Sequence, residues 1–386
     1  MTSQASLVAE APGSDDRIEV PAARLREQLR AIFAAWGMPA ALAETTARLM
    51  VAADLRGIDS HGIGMLPLYD ELHRAGKLAM APEIATLRES PVTALLDAGG
   101  GLGHDAGERA MRFAIDKCRA SGLAAVAVRN SNHFGAAGLY ALMAAEAGFI
   151  GLATSNVWKA SVVPTRGREP MFGTNPIAFA APARRNPPFC LDMATSTVAI
   201  GKLRLAWLDG RELPEGWAID AEGRPLRDPA EAMAQRLLTP LGGTAEMSSH
   251  KGYGLAAMVE ILSALLSGAR VAALDDARAP DPLRYNVGHF FAAIDPAAFR
   301  DPEAFRDEMD ELIDTLRASR PAEPESPVLV PGDPETAAEA ERSAGGIPVS
   351  RKLAAMIREI AAACGVADLM EPAGHPGGPR DGKEDP

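Results

Sequence analysis

The middle of the chain, residues 128–193, sets short polar, Gly-rich turns between apolar runs of strand length: NSNHFGAAG (130–138), FGTNP (172–176) and LDMATS (191–196). Turns of that kind carry chemistry on a rigid scaffold, so the pattern restricts this part of the chain to strands that end in functional loops. Residues 124–128, 150–154, 177–180 and 188–191 read as strands by apolar content, length and bounding turn residues. Residues 92–96 and 286–294 read the same way, and 137–147 is an Ala-rich helix. Strand and helix alternate, but without the regularity of a doubly wound repeat.

The flanks are helical. Leu25, Leu29, Ile32, Phe33 and Trp36 recur at three-to-four spacing, with Gly37 where a helix C-terminus often places glycine. Residues 39–55 repeat the pattern and deliver the chain to RGIDSHGIGMLPLYDELHRAG, in which an SHG turn leads into a helix over 66–74. Residues 201–240 are rich in turn residues and read as a long excursion over the surface. An apolar helix follows at 253–269, then amphipathic helices at 305–316 and 350–364 with a short helical piece at 339–342. Residues 320–335 form a Pro/Glu-rich connection, and 1–16 and 369–386 are polar tails expected to be disordered. No internal repeat is visible.

A chain of 386 residues with 47% hydrophobic content can bury a large core and suggests about two domains. The net charge of −12, with no block of consecutive Lys or Arg, argues against nucleic acid and membrane surfaces as partners, because both attract clustered basic side chains. Cys118, Cys190 and Cys364 are far apart and form no CxxC pair, so neither a disulfide framework nor a structural zinc site is expected. The N-terminus lacks the basic start and apolar core of a secretory signal, and the 253–269 helix falls short of the roughly 20 residues a spanning helix needs. A cytoplasmic location fits best.

Gly101, Gly103 and Gly107 precede a helix and follow a strand, yet their spacing is not the GxGxxG of a dinucleotide-binding turn. The plain expectation is a tight turn at a helix start, which can still favour an anion. Of seven histidines, His61, His133 and His250 lie in Gly/Ser/Asn-rich turns. His73 and His375 need no function, His104 sits at a helix start and His289 begins a strand. A turn histidine near neutral pKa suits proton exchange with a substrate oxygen in carbonyl reduction or alcohol oxidation. Ser60 can steer the His61 ring or cap a helix, and Asp192 can bind a hydroxyl or cap a helix. Lys202 and Lys251 stand in uncharged surroundings, where an ammonium can hold a carboxylate or phosphate. The absence of HExxH, GxSxG and GxxxxGK[ST] demotes metal hydrolysis, acyl transfer and nucleotide triphosphate chemistry, and no metal is expected.

The ordered set DLRGIDSHGI, NSNHFGAAG, FGTNPIAFAAP, LDMATS, LPEGWAID, HKGYGLA and PGDPE resembles the malate/L-lactate dehydrogenase family of NAD(P)-dependent oxidoreductases. That family includes sulfolactate and ureidoglycolate dehydrogenases, diketogulonate reductase and the reductases of piperideine-2-carboxylate and pyrroline-2-carboxylate. The resemblance covers about residues 17–365. It implies a non-Rossmann α/β fold: a central cofactor-binding domain over 91–299 with a largely antiparallel sheet, and a mostly helical domain over 17–90 completed by 300–368. It also implies a homodimer and NAD or NADP as cofactor. The catalytic set it points to is His61 with Ser60 beside it, His133 as the second acid/base candidate, and Lys202. Thr174 matches a substrate contact. His133, Phe134, Gly135, Ala136, Ala137, Asp192, Met193, Ala194, His250, Lys251, Gly252, Gly332 and Asp333 match cofactor contacts.

One position departs from the family. Many relatives carry an arginine four residues after the catalytic histidine, where this chain has Met65. A thioether cannot replace a bidentate guanidinium on a carboxylate. Either another cation, Arg56, Lys202 or Arg204, takes over, or the preferred substrate differs from the 2-oxo acids of the arginine-bearing members. The expected reaction is hydride transfer between NAD(P)(H) and C2 of a small 2-oxo or 2-hydroxy acid. Reduction of a cyclic imine carboxylate is the alternative within the family, and a catalytically silent dinucleotide-binding relative the alternative outside it.

Overall fold

The structure, a computed structural model, describes residues 16–274 and 285–370. Most of the two expected tails and His375 lie outside the described residues. Seven strands form one sheet in the order β2-β3-β4-β8-β5-β6-β7. They are β2 (Ala85–Glu89), β3 (Thr93–Asp97), β4 (Leu123–Ser131), β5 (Ile150–Ser155), β6 (Ile177–Ala181), β7 (Phe189–Met193) and β8 (Val287–Ile294). Within this sheet β3 and β4 run parallel, joined by helix α4 (Gly103–Ser121), and every other neighbouring pair is antiparallel. The sheet is therefore largely antiparallel, as expected, and holds a single βαβ unit in place of a doubly wound repeat.

Small residues set the thickness of this layer. Helices α4 and α5 (Gly138–Glu146) pack on the sheet over Ala124, Val126, Ala153, Ala178, Ala180 and Ala293, all buried. A Cβ at Gly107 would stand 2.8 Å from the Tyr140 ring, and one at Gly103 would stand 2.7 Å from the Asn132 carbonyl oxygen. The glycines that failed the fingerprint are close-packing positions that let α4 lie against the 132–134 turn.

The helical half is built from both ends of the chain. Strand β1 (Arg17–Val20) pairs antiparallel with β9 (Ile347–Ser350), Arg17 opposite Ser350 and Val20 opposite Ile347. This ribbon brings together α1 (Ala22–Ala35), α2 (Ala40–Leu55), α3 (Leu66–Arg74) and α11 (Arg351–Ala363). Ser350 ends β9 and its Oγ accepts the Leu353 N–H at 3.1 Å, capping α11. Leu25, Leu29, Ile32 and Phe33 are fully buried in the resulting core, each such burial worth roughly 1.5–3 kcal/mol. Met370 closes on the same cluster.

Residues 201–240 depart from the expected surface excursion. They contain most of α6 (Ile200–Leu208) and all of α7 (Pro229–Gln235), which share a small core with Val162, Leu203, Leu213 and Leu238. The apolar helix begins earlier than its periodicity suggests, as α8 (His250–Glu260), and continues into a π-helical turn, Ile261–Leu265. Helices α9 (Pro302–Arg317) and α10 (Asp333–Gly345) complete the chain. Among the described residues no helix is long and apolar enough to cross a membrane.

Candidate active site

His61 sits on a turn that is pinned from below. Helix α2 ends at Leu55, Gly57 reverses the chain with φ 76°, and the Asp54 side chain, 1% exposed, reaches under the turn. Asp54 Oδ2 accepts the Ile63 N–H at 2.8 Å, and Gly62 lies so close to that carboxyl that no Cβ would fit. Burial pushes the Asp54 carboxyl up to about 8, opposed by the Ile63 N–H, with neighbouring Asp59 raising it further and Arg342 lowering it. Arg342, on α10, donates to the Asp54 carbonyl oxygen at 2.5 Å and pairs with Asp59. Ser60 Oγ lies 2.8 Å from His61 Nδ1, leaving Nε2 for other chemistry. Burial lowers the His61 pKa below 6.5.

A second imidazole lies against the first. The His61 and His133 rings stack with centroids 5.3 Å apart and planes 25° apart. His133 follows β4, and its Nδ1 is 2.6 Å from the hydroxyl of Tyr69 on α3. Beneath them Phe134 stacks on His289 with centroids 4.4 Å apart, and the two His289 nitrogens bond Ser155 Oγ at 2.9 Å and Ser131 Oγ at 2.8 Å. His104 is fully buried beside Tyr69 and His133. Burial takes His104 and His289 down to about 3 and His133 well below 6.5. Four imidazoles thus meet where β4 and β8 reach the helical half, all biased toward the neutral form.

The other turns assemble along the same end of the sheet. Gly135, Ala136 and Ala137 lead into α5, whose first N–H, at Gly138, donates to Asp192 Oδ2 at 2.7 Å. Asp192 is solvent-accessible yet hemmed in, and burial pushes its carboxyl up to about 6, against the Gly138 N–H, with Glu335 raising it and Arg56 lowering it. After Met193 and Ala194 the chain folds back, and the Thr195 N–H donates to the Thr174 carbonyl oxygen at 2.8 Å. Leu241 N–H donates to Thr195 O at 2.9 Å and Gly252 N–H to Leu241 O at 3.2 Å, which brings the start of α8, His250 to Gly252, beside that strand end. Gly332, with φ 102°, packs against Cys190 of β7, and Asp333 is held by Arg317 Nη2 at 2.6 Å.

Arg56 pairs with Glu339 of α10 at 2.8 Å and acts electrostatically on Cys190 and Asp192. Lys202 is exposed on α6; Arg204, one turn-step further on, is half-buried and burial lowers its pKa. Met65 packs against the helical core. A groove of about 890 Å³ is lined by Leu87, Arg88, Leu95, Arg129, Leu265 and Phe290 and contains none of the imidazoles. Among the described residues no group of three His, Cys, Asp or Glu side chains is placed to hold a metal ion.

Tyr69, Asp54, Arg342 and Glu335 adjoin these residues, and no role for any of them is legible in the sequence, although Asp54 and Glu335 fall inside the DLRGIDSHGI and PGDPE motifs. Tyr69 reads there as a core position of an amphipathic helix, and the other three as ordinary helix charges. The donor and acceptor set fits a dinucleotide. Asp192 and Glu335 are acceptors suited to ribose hydroxyls.

The chain is similar to known proteins over most of its length. Residues 20–358 match the family model for malate/L-lactate dehydrogenase. The chain is 40% identical over 356 residues to a malate dehydrogenase of Pyrococcus abyssi, covering 92% of this chain and 97% of that protein. It is 39% identical over 325 residues to an L-sulfolactate dehydrogenase of Methanocaldococcus jannaschii, covering 84% and 91%. The crystal structure of malate dehydrogenase from Entamoeba histolytica superposes with a TM-score of 0.86 at 32% identity, covering 91% of this chain and 99% of that one.

Proposed function

The chain belongs to the malate/L-lactate dehydrogenase family, and from that premise we propose that it moves a hydride between NAD or NADP and C2 of a small 2-oxo or 2-hydroxy acid. The observation that carries this reading is the His61 ring, oriented by Ser60 through Nδ1 and stacked on His133. When bound, the cofactor supplies or accepts the hydride. His61 Nε2 takes the hydroxyl proton in oxidation and returns it to the carbonyl oxygen in reduction. A pKa held below 6.5 by burial keeps the ring neutral near pH 7, ready to act as the base.

The cofactor would be held by the 133–137 turn, Asp192 to Ala194, His250 to Gly252 and the Gly332–Asp333 turn. Asp192 and Glu335 would accept ribose hydroxyls. Thr174 would contact the substrate. With Arg56 engaged by Glu339, the remaining candidates for the substrate acid group are Lys202 and Arg204. Malate and sulfolactate, named for two relatives, each carry a second acid group, and we favour substrates of that class over lactate. A homodimer is supported by the exposed apolar row Met258, Ile261, Leu265 and Leu266 along α8 and its π turn.

The test is a substrate panel. Purified protein, NADH or NADPH, and the 2-oxo acids corresponding to malate, lactate and sulfolactate are followed by loss of reduced-cofactor absorbance, with cyclic imine carboxylates as the competing arm. Turnover with a 2-oxo acid supports the reading. Turnover with the imines alone replaces it with imine reduction, and no turnover with any member removes it.

A further inference from the structure

Tyr69 lies outside the seven motifs that carry the family resemblance and is fully buried, yet its hydroxyl ends at the imidazole stack, 2.6 Å from His133 Nδ1. The Gly135 N–H is directed at the same nitrogen, at 3.4 Å. A backbone N–H can only donate, so Nδ1 has to offer its lone pair. Were Nδ1 protonated, two N–H groups would face each other and the phenol would lose its acceptor, and a buried donor left unpaired costs about 1–3 kcal/mol. Burial raises the Tyr69 pKa further above 10, so the phenol keeps its proton. In the neutral ring the single proton is then on Nε2.

We infer that Tyr69 is a positioning residue: its hydroxyl locks His133 as the Nε2–H tautomer, a permanent hydrogen-bond donor toward the substrate, and leaves proton exchange to His61. The inference rests on the oxidoreductase reading for its catalytic meaning, although the tautomer itself is a property of the protein alone. A second protonation of His133 would have to place a proton on Nδ1, against both donors. Burial and the groups acting on it, His61 from the 57–65 turn, His104 from α4 and His289 from β8, all disfavour a positive charge. Its Nδ1 is taken up by Tyr69 and the Gly135 N–H, which leaves Nε2 as the nitrogen available to a substrate. Two stacked imidazoles thereby acquire different jobs. One titrates and moves a proton; the other stays neutral and polarises a substrate oxygen.

The tautomer is read by ¹⁵N spectra of the full chain labelled at histidine, with His133 assigned from the difference against His133→Gln. The expected spectrum has a pyridine-type Nδ1 and a pyrrole-type Nε2 for His133, unchanged between about pH 5 and pH 8. In Tyr69→Phe the two nitrogens should move toward averaged values, kcat/KM should fall roughly tenfold, and a second ionisation should enter its pH profile. A protonated Nδ1 in the wild type, or a Tyr69→Phe spectrum with the wild-type tautomer, overturns the inference whatever the rate does. Should Tyr69→Phe fail to fold, His133→Gln and His133→Asn decide the matter. Gln places an amide N–H near the Nε2 position and should lose less turnover than Asn, whose amide falls near Nδ1 instead. Equal loss in both overturns the assignment. Because the spectra need no substrate, an inactive protein with the expected tautomer would refute the proposed reaction and leave the positioning role of Tyr69 intact.

Discussion

The proton exchange proposed for His61 runs from a pKa that burial holds below 6.5, and the direction of that shift fixes the pH dependence. Oxidation needs the neutral ring, so kcat/KM for the 2-hydroxy acid should rise with pH through a midpoint below 6.5. Reduction needs the protonated ring and should decline as pH rises through the same ionisation. A pair of pH–rate profiles checks this, and an oxidation limb with its midpoint above pH 6.5 contradicts it. His61→Ala should cost about 10²–10⁴ in turnover while dinucleotide affinity, read by fluorescence titration, stays close to that of the wild type. At this scale the sequence shows the turns well. His61 and His133 stand out because Gly, Ser and Asn surround them. Tyr69 does not, because its meaning depends on a partner 64 residues away, and no local pattern encodes such a contact.

The turn that carries His61 owes its shape to Asp54, and its carboxyl links that element to pH. With a native pKa of about 8 against 3.8 for a free carboxyl, the folded state binds more protons than the unfolded one between those values. The contribution of Asp54 to stability is therefore complete below about pH 4 and declines as pH rises to about 8. Asp54→Asn keeps an acceptor for the Ile63 N–H and removes the ionisation. Its melting temperature relative to wild type should climb between about pH 5 and about pH 8, and an offset constant across that range would refute the linkage. Gly332 makes a second demand on local geometry, with φ 102° and a Cβ position 3.3 Å from Cys190 N. Gly332→Ala should cost about 1–2 kcal/mol and weaken cofactor binding, measured by melts and titration; unchanged affinity would detach this turn from the cofactor. Periodicity located the helices of the flanks and most central strands. It missed β1 and β9, four residues each, which are strands because they find one another across the whole chain. It also missed α6 and α7, since the turn residues around them mask a small core contributed by distant Val162 and Leu238.

At the scale of the molecule, the ends of the chain form one helical body and the middle forms the sheet, and the imidazoles meet between them. The exposed row on α8 and its π turn bears on assembly. Light scattering should give twice the 40.5 kDa chain mass, and Leu265→Glu should shift the protein toward the monomer; a wild-type monomer would show that this row serves something else. Motifs spread over most of the chain made the family visible, whereas the open groove at Leu87 and Phe290 carries no motif and went unseen. The central claim is that His61 services the oxygen of a carbon receiving a hydride. It is tested most directly by incubating the protein with NAD(P)H deuterated at C4 of the nicotinamide, each face in turn, and the 2-oxo acid of malate. Deuterium should appear at C2 of the hydroxy acid with one face only, and His61→Ala should form almost none; no label at C2, or labelling undiminished in that variant, would contradict it.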